Sequence, residues 1–202
     1  MKKDNTTEQK IKEAAKKVFI KKGLAGARMQ DIADQAGINK ALLHYYFRSK
    51  EKLFEIIFDE SVQVLMPQLN SILEKDAPVL EKIKGFATFY IDNLLQNPHM
   101  PLFVIHEASQ NPQRLVRKIR ALKSKPEPAV FIKQVQQEIA AGVLKPVDPM
   151  HLFIHVVSLC IFPFVARPML KAIAHMDDRT FAMLMEQRKK EVPLFIEAAV
   201  RR

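Results

Sequence analysis

The 202-residue chain contains a single cysteine, Cys160, no tryptophan and only five glycines. One thiol cannot form an internal disulfide, nor can it supply the several thiolates of a cysteine-built zinc or iron–sulfur centre. A reducing cytoplasm is the expected setting. Long apolar runs are also lacking: the longest, Leu152 to Ala166, is interrupted by His155, Ser158 and Pro163 and falls short of the roughly twenty residues that span a bilayer. The amino terminus is rich in Lys, Asn, Thr and Glu, so neither a secretory signal nor a membrane partner is expected. There is no nucleophile elbow, P-loop or dinucleotide glycine motif, and Glu107 beside His106 has no visible third partner. The chain is read as a non-enzyme with no cofactor and no metal ligand assigned.

What is abundant is Leu, Ile, Ala, Lys, Glu and Gln, the residues of helices, in place of the alternating Val, Thr and Tyr of strands. The net charge of +10 is uneven. Residues 1–50 carry twelve Lys and Arg against five Asp and Glu, or +7, while residues 51–202 carry twenty against seventeen, or +3. A positive field gathered at one end attracts polyanions, of which nucleic acid is the commonest. Punctuation divides the chain in the same place. Three of the five glycines (Gly23, Gly26, Gly37) precede residue 40, and all twelve prolines follow residue 66.

The first helix is signalled by Thr6 with Gln9 three residues on, then Ile11, Ala14, Ala15, Val18 and Phe19 on one face, and it is expected to stop at Gly23. A second runs from Arg28 to Ala36 with Met29, Ile32, Ala33 and Ala36 as its stripe, and Gly37 ends it. Asn39 caps a third, Lys40 to Phe47. Ser49 caps a fourth, in which Leu53, Phe54, Ile57, Phe58, Val62 and Leu65 recur, and Pro67 is expected to kink or end it. Further helices are expected at 79–96, 98–109, 112–123, 128–141, 149–163 and 177–200. Asn97-Pro98, Asn111-Pro112 and Asp148-Pro149 each place a capping side chain before a proline.

The second and third helices, joined by Ala36-Gly37-Ile38-Asn39, form a helix-turn-helix. Leu43 and Phe47 are four apart and face the core. Lys40, Ala41, Leu42, Tyr45 and Tyr46 are left on the remaining surface, where a DNA major groove accounts for them: apolar side chains contact thymine methyls, tyrosine hydroxyls donate, and lysine reaches guanine or phosphate.

Residues 28–54, RMQDIADQAGINKALLHYYFRSKEKLF, resemble the signature of the TetR family of bacterial repressors. Ile32-Ala33, Gly37-Ile38-Asn39, Tyr46-Phe47 and Ser49-Lys50-Glu51-Lys52-Leu53-Phe54 carry the resemblance. It implies an all-α fold, with a three-helix DNA-binding domain at 1–48 and a larger helical ligand-binding and dimerisation domain at 49–202. It also implies phosphate contacts from Arg28, Gln30, Tyr45, Tyr46 and Lys50 and base contacts from Lys40, Ala41 and Leu42, with His44 left to touch either or neither. Leu42, His44 and Tyr46 depart from the family's usual residues, so its operators do not transfer to this chain. Lys50 opposes the dipole at the start of its helix, which favours a phosphate role.

The resemblance further implies a homodimer built from the last two helices, with Phe181, Leu184, Met185, Arg188, Val192, Phe195 and Ile196 as candidate interface residues. A small-molecule effector is expected in a cavity between the fourth helix and the rest, with Phe58, Phe86, Phe89, Tyr90, Phe103, His106, Phe131 and His155 as candidate liners. The expected function is a ligand-responsive regulator, most simply a repressor, that holds a near-palindromic double-stranded operator and releases it when an apolar or amphipathic molecule binds. It would be cytoplasmic, and nucleoid-associated when bound. The alternative is a constitutive architectural nucleic-acid-binding protein, which accounts for the charge but leaves the second domain without a role.

Overall fold

The computed structural model describes the backbone of residues 5–98, 100–110, 112–122 and 128–202, and within these all side chains except those of 5, 20, 103, 106, 107, 110, 114 and 118. The described chain is helical, with one isolated bridge, Leu144 to Arg201, and no strand among the described residues. It divides into two compact units, Met1–Val64 and Leu65–Arg202.

In the first unit, α1 (Asn5–Gly26) is broken at Gly23, whose backbone (φ 66, ψ 174) lies in a region that only glycine enters cheaply. α2 (Met29–Ala36) and α3 (Lys40–Tyr46) follow, and α4 (Lys50–Glu74) begins here. Ile11, Ala15, Phe19, Ile32, Ala33, Leu43, Phe47, Leu53 and Ile57 are all buried, so each helix contributes its apolar stripe to one core. Phe19 meets Phe54 edge to face at 5.0 Å, and the Lys12 ammonium bridges Glu60 at 2.6 Å and Glu8 at 2.9 Å. These α1–α4 contacts explain why the compact units part inside α4, between residues 64 and 65. The resemblance implied a domain boundary at 48/49.

Of the two outcomes expected at Pro67, a kink or an end, the second does not occur: α4 continues to Glu74. Leu65, Leu69 and Leu73, four apart and buried, carry the stripe past the proline and offset its missing hydrogen bond. An additional short helix also appears in the second unit.

That unit contains α5 (Val79–Gln96), α6 (Met100–Gln110), α7 (Pro112–Ala121), α8 (Pro128–Ala140), α9 (Pro149–Val165), α10 (Arg167–Ile173) and α11 (Asp178–Val200). α5 packs against α8, α9 and α11, and their buried faces, including Ile83, Ile91, Val135, Leu152, Phe164 and Met185, make its core. Asp148 and Asp177 accept the His151 and Thr180 amides and cap α9 and α11. α10 was not foreseen because it buries none of its own residues. Arg167 and Lys171 on it hold Asp178 at 2.7 and 2.6 Å, and the Arg167 guanidinium lies 5.1 Å from the Phe181 ring centre. Among the described residues no single helix is long and apolar enough to cross a membrane.

Candidate nucleic-acid interface

The turn between α2 and α3 is set by Gly37, which sits at φ 66, ψ 36, where a Cβ is strained. Its amide donates to the Asp34 carbonyl and that of Ile38 to Ala33 at 3.0 Å, closing α2. The Asn39 side chain then accepts the Leu42 amide at 2.7 Å and opens α3. Local hydrogen bonds on both sides thus hold the corner that projects α3.

On α3 the structure separates the candidates. Lys40, Ala41, His44 and Tyr45 are exposed, Tyr45 to 47 %. Leu42 is half-buried. Tyr46 is a correction to the sequence reading: it is buried with Leu43 and Phe47, and it packs edge to face on Tyr45 at 5.5 Å and tilted on Phe47 at 6.4 Å. One step along a helix turns a side chain by about 100°, which moves Tyr46 to the core side while Tyr45 stays outside. The His44 Nδ1–H donates to the Arg48 carbonyl at 3.3 Å, closing the end of α3.

Arg28 and Gln30 lie exposed at the start of α2. The Arg28 amide donates to Asp31 at 3.0 Å, Gln30 donates to Asp34 at 2.8 Å, and Lys22 bridges Asp31 at 2.8 Å. The Lys22 ammonium, followed by the Arg28 amide, holds the Asp31 carboxyl below its ordinary value of 3.8. A carboxylate lowered by folding adds stability that is present above its unfolded pKa and is lost as pH falls through the lowered folded value. Melting of Asp31→Asn is therefore expected to depend less on pH than the wild type below about pH 4. Parallel melting curves for the two proteins from pH 6 to pH 3 would remove Asp31 from the account.

Lys50 is held by the end of α1. Its ammonium donates to the carbonyls of Leu24 at 2.9 Å, Ala25 at 3.2 Å and Ala27 at 3.0 Å, which commits all three of its protons.

In the second unit, Phe86 and Phe131 are buried core residues, and Phe89 and Tyr90 pack partly buried against that core. Phe86 stacks on Tyr90 at 5.1 Å and Phe131 tilts on Phe153 at 6.4 Å, so these rings fill space against one another. Burial raises the Tyr90 hydroxyl to about 12 and the Cys160 thiol to about 12, leaving both protonated. Phe58 is instead buried in the first unit, and His155 is exposed on α9, so neither joins this group. The side chains of Phe103 and His106 lie outside the described residues. A shallow open depression in this unit is lined by Pro67, Asn70, Ser71, Glu74 and Lys75, none of them an expected liner.

The expected interface residues on α11 also divide. Phe181, Met185, Val192 and Ile196 are buried in the chain's own core, and the Arg188 guanidinium donates to the Leu159 carbonyl at 2.9 Å. Leu184 and Phe195 face outward, the latter 65 % exposed, together with Met183 and Leu194, which the sequence reading missed. α9, packed on α11, has its own outward residues, Ile154 and Phe162. His151 was also missed; it lies four residues before His155, the expected cavity liner, on that outward side of α9, with ring centres 6.2 Å apart. The sequence reading counted no pair at His-x-x-x-His spacing, and that is a correction: His151 and His155 have it, and the spacing aligns two imidazoles on one helix face. No group of three or more metal-ligating side chains occurs among the described residues.

Comparison with known proteins agrees with this geometry. Residues 11–57 match the model of bacterial regulatory proteins of the tetR family, and residues 79–192 match that of tetracyclin repressor-like C-terminal domains. The chain is 30 % identical over 171 residues to the HTH-type transcriptional repressor NicS of Pseudomonas putida, spanning 77 % of this chain and 74 % of that one. It is 25 % identical to the repressor KstR2 of Mycolicibacterium smegmatis, over 68 % of each. The solved structure of the ketosteroid transcriptional regulator KstR2 of Mycobacterium tuberculosis superposes with a TM-score of 0.72 at 18 % identity, covering 99 % of this chain and 97 % of that one. The transcriptional regulator SCO4942 of Streptomyces coelicolor superposes at 0.64 with 22 % identity, covering 96 % and 98 %. With matched models over both halves of the chain, it belongs to the tetR family of bacterial regulatory proteins, DNA-binding transcriptional regulators of all-helical fold.

Proposed function

We propose that this protein is a homodimeric repressor that holds a near-palindromic operator and releases it when an apolar or amphipathic small molecule binds its second unit. The observation that carries the DNA half of this reading is the outward set on α3, Lys40, Ala41 and Tyr45, beside the exposed Arg28 and Gln30 of α2. One helix-turn-helix per chain reads one half-site. A twofold dimer then reads two, about one turn or 34–36 Å apart. Lys40, Ala41 and the half-buried Leu42 are assigned to bases, and Arg28, Gln30 and Tyr45 to phosphates. The outward apolar residues of α9 and α11 support the dimer, because Phe195, Leu194 and Ile154 are large hydrophobic side chains left about half exposed or more among the described residues. Its place of action is the cytoplasm, where its DNA is.

The switch rests on α4, whose first residue follows the recognition helix closely and whose last turns belong to the second unit. A ligand shifts such an equilibrium only by its preference for one arrangement, and a coupling of about 1–3 kcal/mol corresponds to a roughly 5- to 150-fold loss of operator affinity. The test begins with selection of a preferred duplex from a random library and a thermal-shift screen of apolar and amphipathic compounds. A hit is then titrated with and without the selected duplex. Operator and ligand are expected to weaken each other by the same factor. Equal ligand affinity in both titrations would leave a DNA-binding dimer without a switch.

A further inference from the structure

The Lys50 ammonium lies at the opening of α4, where the helix dipole disfavours a cation, yet it makes three hydrogen bonds. Its acceptors explain the placement. α1 ends at Gly26 and the chain is extended at Arg28 before α2 begins, so the carbonyls of Leu24, Ala25 and Ala27 lack the amide donors of residues 28, 29 and 31 that a continuing helix would supply. They converge on one point instead. The end of α1 carries the negative end of its own dipole, and a cation placed there is stabilised. A compact ammonium with three divergent protons suits three convergent oxygens, which a planar guanidinium does not.

The residue after the last of these carbonyls is Arg28. Ala27 is buried, and Arg28 is extended (φ −118, ψ 149) as it enters α2, its amide held by Asp31. The position of the Arg28 side chain therefore depends on how the Leu24–Ala27 connection is held, and Lys50 holds it from a distance of 23 to 26 residues along the chain. Lys52, close by, bridges Glu55 on its own helix, 3.1 Å away, and among the described residues ties nothing to α1.

We propose that Lys50 is a positioning residue, an ammonium latch that fastens the start of α4 to the α1–α2 connection and so sets Arg28 against the DNA backbone, and that it is not itself a phosphate ligand. This rests on the reading of α2 and α3 as the DNA-contacting pair. It identifies the joint at which a displacement of α4 reaches that pair: when the first turn of α4 shifts, the three carbonyls shift with it.

The experiment is a double-mutant cycle between Arg28→Ala and Lys50→Met, with affinity for the selected duplex measured over a range of salt, and with Lys50→Arg and Lys52→Met alongside. Arg28→Ala is expected to lower the salt slope by about 0.9, the value for one phosphate contact. Lys50→Met is expected to lower it by a similar amount in the wild-type background and to change little further once Arg28 is gone, because the two act as one unit. Lys50→Arg keeps the charge, which a phosphate contact would tolerate, but it cannot reproduce the latch. It is expected to lose affinity about as much as Lys50→Met, while Lys52→Met does not.

Additive losses at positions 28 and 50, with full affinity in Lys50→Arg, would overturn the latch and restore a phosphate contact. Unchanged affinity in a folded Lys50→Met protein with a lowered melting temperature would reduce Lys50 to a purely structural role. If Lys50→Met does not fold, the cycle is run with Lys50→Arg against Arg28→Ala, and additivity there overturns the latch in the same way. Failure of the wild-type protein to enrich any duplex would instead remove the DNA reading beneath it, a result distinct from all of these.

Discussion

Replacing Leu184 and Phe195 with glutamate together is expected to yield a folded monomer that has lost most of its operator affinity. Both side chains are exposed in the isolated chain, at 42 % and 65 %, so the substitutions disturb no core packing and the helical signal should be retained. In a dimer they would be covered, and four added carboxylates would have to be desolvated across the interface. Two half-sites bound by one dimer gain from effective concentration, so breaking the dimer costs roughly 10²–10⁴-fold on a full operator and little on a single half-site. Sedimentation and fluorescence anisotropy on full and half operators read the two effects separately. A double variant that remains dimeric and binds the full operator normally would move the interface off the outward face of α11. Met185→Ala is the contrasting case: Met185 is 1 % exposed within the chain's own core, and its truncation is expected to lower stability with no specific effect on assembly.

The second large effect is expected at Leu43, the one fully buried leucine of α3. It seats the recognition helix among Ile32, Phe47 and the other core residues of a unit of only 64 residues. Leu43→Ala is expected to cost about 2–5 kcal/mol through lost burial and the cavity left behind. Domains of this kind hold only about 5–15 kcal/mol in total, so DNA binding should fail at temperatures the wild type tolerates. Urea melts and operator binding on the same samples test it. Ala41→Ser, on the exposed side of α3, is expected to stay within about 0.5 kcal/mol of wild type. A Leu43→Ala protein as stable as Ala41→Ser would mean that α3 does not rest on this core.

Much of the first unit was legible because its signals are local. Asn39 caps α3 through an amide three residues away, Gly37 turns through its own backbone angle, and Ile32, Ala33, Leu43 and Phe47 are buried at the positions their periodicity indicated. Departures arose where a local rule met a distant partner. Pro67 was read as a kink or an end, and the end did not occur because Leu69 and Leu73 beyond it had core to cover and α4 went on. α10 was invisible because it is held by Arg167 and Lys171 on Asp178 and not by an apolar stripe of its own. The spacing of His151 and His155 was legible, whereas their common exposure is a property of how α9 is rotated.

From the sequence alone came the all-helical class, the helix-turn-helix and its caps, the basic first fifty residues and the family resemblance, since each depends on residues at most a few turns apart. Only the tertiary structure decided which side of a helix faces inward and what each cation holds. α11 carries two stripes at helical spacing, one through Phe181, Met185, Val192 and Ile196 and one through Leu184, Leu194 and Phe195, and composition does not rank them. Packing against α5 and α9 buried the first and left the second outside. Tyr45 and Tyr46 were likewise alike until the core claimed one ring. The position of Lys50 in the family signature implied a phosphate, whereas three carbonyls more than twenty residues earlier, at the end of α1, took its protons. A hydrogen bond is satisfied by whatever lies nearest in space, and the fold brings these carbonyls to it.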